Sequence, residues 1–130
     1  MKPILIQVSP GELLDKITIL RIKSARIHDP VKLGNVRKEL ELLESARREN
    51  IAETAEILKL TKELEGVNSD LWGVEDALRE CESVRDFSTR FVELARSVYR
   101  LNAIRSDIKF RLNEILKSPI REEKEYSGPR

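Results

Sequence analysis

Several residue types are scarce in this chain of 130 residues, and each scarcity excludes a class of protein. One cysteine cannot form a disulfide framework, and with one histidine we expect neither a zinc site nor a histidine-based catalytic triad. Lys and Arg number 24 against 23 Asp and Glu, so the net charge of +1 exerts no strong attraction on nucleic acid or anionic lipid.

Long apolar runs are absent as well. The run Ile4-Leu5-Ile6 near the start is too short for a membrane span or for the apolar core of a signal peptide. We therefore expect a cytoplasmic protein without membrane insertion. What remains, 40% hydrophobic and 36% charged residues with five glycines and five prolines, is the composition of a single domain built from amphipathic helices.

The clearest pattern is an apolar stripe in the middle of the chain. Its residues recur at alternating steps of three and four, which keeps them on one narrow face of a helix, as in a coiled coil. They are Ile57, Leu60, Leu64, Val67, Leu71, Val74, Leu78 and Cys81. A similar stripe follows, comprising Phe91, Leu94, Val98, Leu101, Arg105, Ile108, Leu112 and Ile115. The short connection at residues 86–88 predicts that the two helices pack antiparallel, with Cys81 buried between them.

Start and stop signals divide the chain into four helices. Ser9-Pro10-Gly11-Glu12 is a capping box with proline at the first helical position, and Asp29-Pro30 repeats the signal of a cap followed by proline. Pro119 closes the last helix. The predicted helices run from Pro10 to about His28, Pro30 to about Asn50, about Glu53 to about Arg85, and Thr89 to about Lys117.

These signals predict an all-α fold made of two antiparallel helical hairpins. A long coiled-coil-like hairpin spans residues 53–117, and a shorter hairpin of residues 10–50 packs on it. Residues 1–118 form one domain with a short extended segment at 1–8, and residues 119–130 form a flexible charged tail. The short hairpin cannot cover the long one, and the uncovered apolar surface favours self-association.

The first helix is apolar on two sides. Its broad face carries Leu13, Leu14, Ile17 and Leu20, while a second face lies nearly opposite. We expect the second face to meet either the N-terminal segment or a second subunit. The predicted interface of a homodimer is Ile4, Ile6, Val8, Ile19 and Ile22.

Polar residues interrupt the stripes midway along the long hairpin. If the turn centres on Phe87, Arg105 lies level with Ser69 or Asp70, and a cluster forms. Its members are Asn68, Asp70, Trp72, Glu75, Asp76, Arg96, Tyr99, Asn102 and Arg105. In one interpretation, Arg105 pairs with Asp70 or Asp76 and fixes the register of the hairpin. In the other, Arg96 and Arg105 bind a phosphate or carboxylate between aromatic walls.

Two motifs carry a resemblance to a known family. Residues 9–20, SPGELLDKITIL, and residues 91–99, FVELARSVY, together with residues 35–37, 68–72 and 75–76, resemble a family of small bacterial proteins catalogued as a domain of unknown function. The resemblance runs from about Pro3 to Tyr126. It implies an accessory role in surface-polysaccharide synthesis, and at Arg21 it implies an acidic residue that this chain does not have. The shared positions include Asp15, Lys16, Trp72, Glu75, Asp76, Arg96, Tyr99 and Asn102.

Two functional hypotheses follow. The first is a non-enzymatic helical interaction protein, a homodimer that also binds a protein partner, with no catalytic residue, cofactor or metal. The second is a small all-α enzyme or binder of an anionic ligand, comparable in architecture to chorismate mutases. Its ligand-binding residues would be Asp15, Lys16, Asn68, Trp72, Glu75, Asp76, Arg96, Tyr99, Asn102 and Arg105.

Overall fold

A computed structural model of the chain describes residues 1–123, which contain four α-helices. The helices are α1 (Pro10–Arg26), α2 (Pro30–Asn50), α3 (Ala55–Ser83) and α4 (Thr89–Ile115). The predicted all-α fold is confirmed. Among the described residues, no helix combines the length and apolar character needed to cross a membrane.

The first three helices begin at side-chain caps. The Ser9 hydroxyl accepts a hydrogen bond from the Glu12 N–H at 3.1 Å, and the Asp29 carboxylate accepts one from the Lys32 N–H at 2.9 Å. Each cap satisfies one of the backbone donors that have no partner in the first turn. The cap of α3 is Thr54, so this helix begins two residues later than the predicted Glu53.

The long helices end in backbone turns of the left-handed type. Arg85 and Lys117 have φ angles of 54° and 53°, and the N–H of the residue after each donates to a helix carbonyl five residues earlier, at 2.8 and 2.9 Å. This pattern is a Schellman motif, which redirects the chain at the end of a helix. The predicted end points, Arg85 and Lys117, are therefore the residues that turn the chain out of the helix.

Helix α1 occupies the centre of the molecule. It packs against each of the other three helices, whereas α2 contacts α1 alone among the described helices. Helices α3 and α4 form the long antiparallel hairpin, and α1 lies between this hairpin and α2. The short hairpin therefore packs on the long one through α1.

The main core lies at the end of the long hairpin where α3 begins and α4 ends. It contains Leu13, Leu14, Ile17, Ile51, Ile57, Leu60, Leu64, Ile108 and Leu112. Cys81 is also fully buried, as predicted. Toward the connecting turn, the apolar side chains of α4 are only half-buried, because the other helices end before they reach this part of the hairpin.

The register of the long hairpin agrees with a turn centred on Phe87. Asp70 and Ile104 line the same groove, and so do Glu63 and Arg111. The two members of each pair are equally distant from Phe87 in the sequence. The shared groove agrees with the predicted register.

The second apolar face of α1 meets the long hairpin of the same chain. Ile19 and Ile22 lie on the same side of α1 as Asp15 and Arg26, at 100° per residue. Asp15 accepts hydrogen bonds from Asn68 of α3 and Arg105 of α4, and Arg26 donates one to Ser69 of α3. Ile22 is only 8% exposed. The expected contact of this face with the N-terminal segment or a second subunit is corrected accordingly. Ile4, Ile6 and Val8 remain exposed.

The chain continues along α4 after that helix ends. The Glu122 carboxylate lies 3.0 Å from Lys109 Nζ, and Arg121 pairs with Glu114. The Ser118 hydroxyl donates a hydrogen bond to the Ile120 carbonyl at 2.6 Å. Residues 118–123, which we call the C-terminal segment, therefore contact α4, whereas the tail was predicted to be flexible from residue 119. Residues 124–130 of that tail lie outside the described part of the chain.

Gly11 marks a close approach of α1 to α4. A Cβ atom at this position would lie 2.7 Å from the Lys109 carbonyl oxygen, whereas one at Gly34 in α2 would meet nothing within 4 Å. We expect Gly11→Ala to destabilise the fold by about 1–3 kcal/mol through overpacking. Gly34→Ala should stabilise it by about 1 kcal/mol through helix propensity. Urea unfolding followed by circular dichroism measures both effects, and equal stability of the two variants would contradict this packing.

Candidate functional site

A buried carboxylate lies where α1 crosses the long hairpin. Asp15 is 1% exposed, and its oxygens accept hydrogen bonds from Arg105 Nε at 2.8 Å and from Arg105 Nη2 at 2.5 Å. The two parallel bonds form the bidentate geometry that a guanidinium favours with a carboxylate. The prediction that Arg105 pairs with Asp70 or Asp76 is wrong, because α1 brings a third helix and its own carboxylate to this level.

A side-chain amide from α3 completes the pairing. Asn68 Nδ2 donates to Asp15 Oδ1 and to Thr18 Oγ1, each at 2.9 Å. The Thr18 hydroxyl donates in turn to the Asp15 carbonyl at 2.8 Å. In residues 1–123, no buried side-chain nitrogen or oxygen is without a hydrogen-bond partner. The network joins α1, α3 and α4, and its buried members are fully satisfied.

Further polar contacts lie one and two turns along α4. Lys109 is 8% exposed, and its Nζ lies 2.8 Å from the Glu12 carboxylate and 3.0 Å from that of Glu122. The Asn113 side-chain oxygen accepts a hydrogen bond from the Gly11 N–H at 2.7 Å. With the network around Asp15, these contacts form one polar cluster. Its members are Glu12, Asp15, Thr18, Asn68, Arg105, Lys109, Asn113 and Glu122.

Hydrogen bonds in the cluster favour the ionised forms of Asp15, Arg105 and Lys109. Burial raises the pKa of the Asp15 carboxyl, but hydrogen bonds from Arg105 and Asn68 outweigh it, so this pKa lies below its ordinary value of 3.8. Burial lowers the pKa of Lys109, but hydrogen bonds to Glu12 and Glu122 outweigh that effect and raise it above 10.5. The hydrogen bond to Asp15 also raises the pKa of Arg105.

A small recess adjoins the polar cluster. It has a volume of about 270 Å³ and is lined by Glu12, Asn102, Arg105, Ser106, Lys109 and Glu122. Both cations on its wall are already paired with carboxylates. Within residues 1–123, no group of three or more His, Cys, Asp or Glu side chains is placed to hold a metal ion. The polar side chains of the recess can form hydrogen bonds with a small molecule. The positive charges of Arg105 and Lys109, however, are already balanced by carboxylates.

The structure brings together only part of the predicted ligand site. Asp15, Asn68 and Arg105 meet in the polar cluster, and Asn102 lines the adjoining recess. The other predicted residues lie outside the cluster. Lys16, Glu75 and Tyr99 are exposed, Tyr99 to 80%. Trp72 lies under the Arg26 guanidinium at 5.8 Å, and Asp76 and Arg96 form ion pairs with Arg79 and Glu93 of their own helices. Neither Trp72 nor Tyr99 lines the recess beside Arg105.

Some members of the polar cluster were not predicted. Lys109 and Asn113 continue a stripe that starts at Asn102 and Arg105, at the helical spacing of three and four. This polar stripe could have been used to predict that Lys109 and Asn113 lie on the same face of α4 as Arg105. Glu12 was assigned to the cap of α1, which accounts for its backbone N–H but not for its contact with Lys109. Glu122 carries no comparable signal because it lies beyond the last helix.

The chain belongs to a family of unknown function, DUF6165, whose model matches residues 4–130. The resemblance to a family of this kind is thereby confirmed. No curated protein matches the chain, and no solved structure does. The description of the family names no activity.

Loss of the Asp15 charge should be far more costly than loss of a surface charge. Asp15→Asn leaves the buried side of Arg105 without its anion, and we expect a loss of about 3–5 kcal/mol in the free energy of unfolding. Asp76→Asn removes an exposed ion pair with Arg79 and should cost less than about 1 kcal/mol. Denaturant titration at neutral pH compares the two. A loss at Asp15 no larger than that at Asp76 would disprove the structural role of the pair.

The pair of Asp15 and Arg105 also predicts that the free energy of unfolding depends on pH in the acid range. The pKa of Asp15 is lower in the folded chain than in the unfolded chain, so its stabilisation is present above about pH 4 and is lost as the pH falls through the lowered pKa. The difference in unfolding free energy between wild type and Asp15→Asn should stay constant above about pH 5 and narrow below pH 3.8. Urea unfolding across this range measures it. An undiminished gap in strong acid would refute the lowered pKa.

Proposed function

We propose that this chain is a non-enzymatic helical interaction protein that acts through self-association and partner binding. One observation carries the proposal: an apolar segment stands exposed at the start of the chain. Ile4, Leu5 and Ile6 are 76%, 91% and 76% exposed. We call residues 1–8 the N-terminal arm. Its backbone is neither helix nor strand in the structure.

Such exposure favours a contact with another surface. Each of these side chains would gain about 1.5–3 kcal/mol from complete burial, through removal of apolar area from water. In this chain the arm precedes a firmly capped helix, so its base is held while its side chains are available. An exposed apolar segment on a fixed base is typical of an interaction site.

A second uncovered region lies at the turn of the long hairpin. Arg26, the last residue of α1, reaches Ser69 and Trp72, and beyond this level α3 and α4 contact only each other among the described helices. Val84 and Phe87 near the turn are 69% and 55% exposed. This end of the hairpin offers additional surface for a partner.

The alternative of an anion-binding site has weaker support. An anion would need a cation whose charge is still available, and the cations beside the recess are bound by Asp15, Glu12 and Glu122. The polar cluster thus favours a role in holding the helices together. A place in bacterial surface-polysaccharide synthesis, inside the cytoplasm, belongs to our proposal and rests on the family resemblance alone.

Self-association should depend on the apolar side of the arm. We expect light scattering coupled to size-exclusion chromatography to give twice the 15.0 kDa chain mass for the wild type at micromolar concentration. Ile6→Asp should weaken the dimer at least tenfold, whereas Gln7→Asp adds the same charge at the neighbouring position and should have little effect. Both should keep wild-type helicity because residue 6 is 76% exposed. A monomeric wild type would overturn the proposal.

A further inference from the structure

We infer that the arm of one copy docks in a groove between α3 and α4 of a second copy. This inference rests on the proposed self-association and names the surface that receives the arm. The α3–α4 groove has a volume of about 450 Å³. It is lined by Glu63, Gly66, Val67, Asp70, Ile104, Asp107, Ile108 and Arg111.

The groove lies on the side of the hairpin away from α1. Arg105 and Lys109 of α4 face α1, and at 100° per residue Asp107 and Arg111 point to the other side of the helix. No described helix covers that side, since α2 contacts α1 alone. Apolar groups are therefore open to solvent here, with Ile104 48% exposed.

The floor of the groove has room for side chains. A Cβ atom at Gly66 would meet nothing within 4 Å, so this position leaves open space beside Val67. From Glu63 to Asp70 the groove follows α3 for about 10 Å at 1.5 Å per residue. Alternate residues of an extended chain lie about 7 Å apart. The groove is thus long enough to take Ile4 and Ile6 of one arm side by side.

The charges of the arm and the groove are complementary. Lys2 is the one charged side chain in residues 1–8. The groove carries the exposed carboxylates of Glu63 and Asp70 on α3 and the guanidinium of Arg111 on α4. An arm whose isoleucines lie on the floor places Lys2 near the acidic rim, where opposite charges favour binding and set its direction.

The arm of a second copy fits the groove better than the chain's own arm does. The arm joins α1 beside Asn113, as the Gly11 hydrogen bond shows. The C-terminal segment lies beside α4 there, where Glu122 and Glu123 share a pocket with Phe110. Within the chain itself Ile4 and Ile6 are 76% exposed, so its own groove does not hold them. Reciprocal exchange of arms between two copies buries both sets of isoleucines in a closed, symmetric dimer.

Filling the groove should dissociate the dimer without unfolding the chain. Gly66→Arg places a long cation in the open space, where it blocks the isoleucines and repels Lys2. Gly34→Arg is the matched control, because Gly34 is also helical and open but lies on α2. Both changes raise helix propensity. By sedimentation equilibrium, we expect the dimer dissociation constant to rise at least tenfold for Gly66→Arg and less than twofold for Gly34→Arg.

Cysteine pairing then tests whether the arm and the groove belong to different copies. A chain with Ile4→Cys is mixed with a chain carrying Gly66→Cys and oxidised, while the natural Cys81 stays buried. We expect a peptide containing residue 4 linked to one containing residue 66, and none when Gly34→Cys replaces Gly66→Cys. A doubly substituted chain that links only within itself would overturn the exchange between copies.

The outcomes separate this inference from the proposed function. If the wild type is a monomer, the proposed self-association fails, and the inference fails with it. If the wild type is a dimer that Gly66→Arg leaves intact, or if residues 4 and 66 do not link, the arm docks elsewhere. In that case self-association stands and only the groove is rejected.

Discussion

The buried pair of Asp15 and Arg105 is the interaction on which the remaining structure depends. A carboxylate that is 1% exposed is tolerated only when its charge and lone pairs are satisfied, and here α4 supplies the guanidinium while Asn68 of α3 supplies the amide. Asn68 and Arg105, as the partners of Asp15, fix the position of α1 along the long hairpin. Since α2 contacts only α1 among the described helices, its position depends on the same pair.

Local features of the fold could be predicted because their causes are local. Ser9 and Asp29 cap the helices that follow them, and the spacing of apolar residues about Phe87 sets the register of α3 against α4. The partner of Arg105 could not be found this way. Asp15 lies 90 residues earlier on another helix. A periodic pattern shows which face of a helix is buried, but it does not show which of several helices covers that face.

The predicted ligand site failed for a related reason. Arg96 and Tyr99 are residue types that often bind ligands, but residue type does not determine whether a helix face is covered. Helix α1 has 17 residues, about 26 Å, whereas α3 has 29 residues, about 44 Å. The last part of the long hairpin therefore extends beyond α1, and Tyr99 on it is 80% exposed. The polar residues that do meet are those level with α1.

Two kinds of surface lie on opposite sides of the long hairpin at the level of α1. Where α1 covers the hairpin, cations and carboxylates neutralise one another, and their contribution is to hold three helices in one arrangement. On the opposite side of the hairpin, the α3–α4 groove is apolar at its floor and acidic at its rim. The arm has the opposite charge and an apolar side of its own. The residues that hold the helices together and those of the proposed docking groove thus lie on opposite faces, so the proposed docking leaves the buried pair undisturbed.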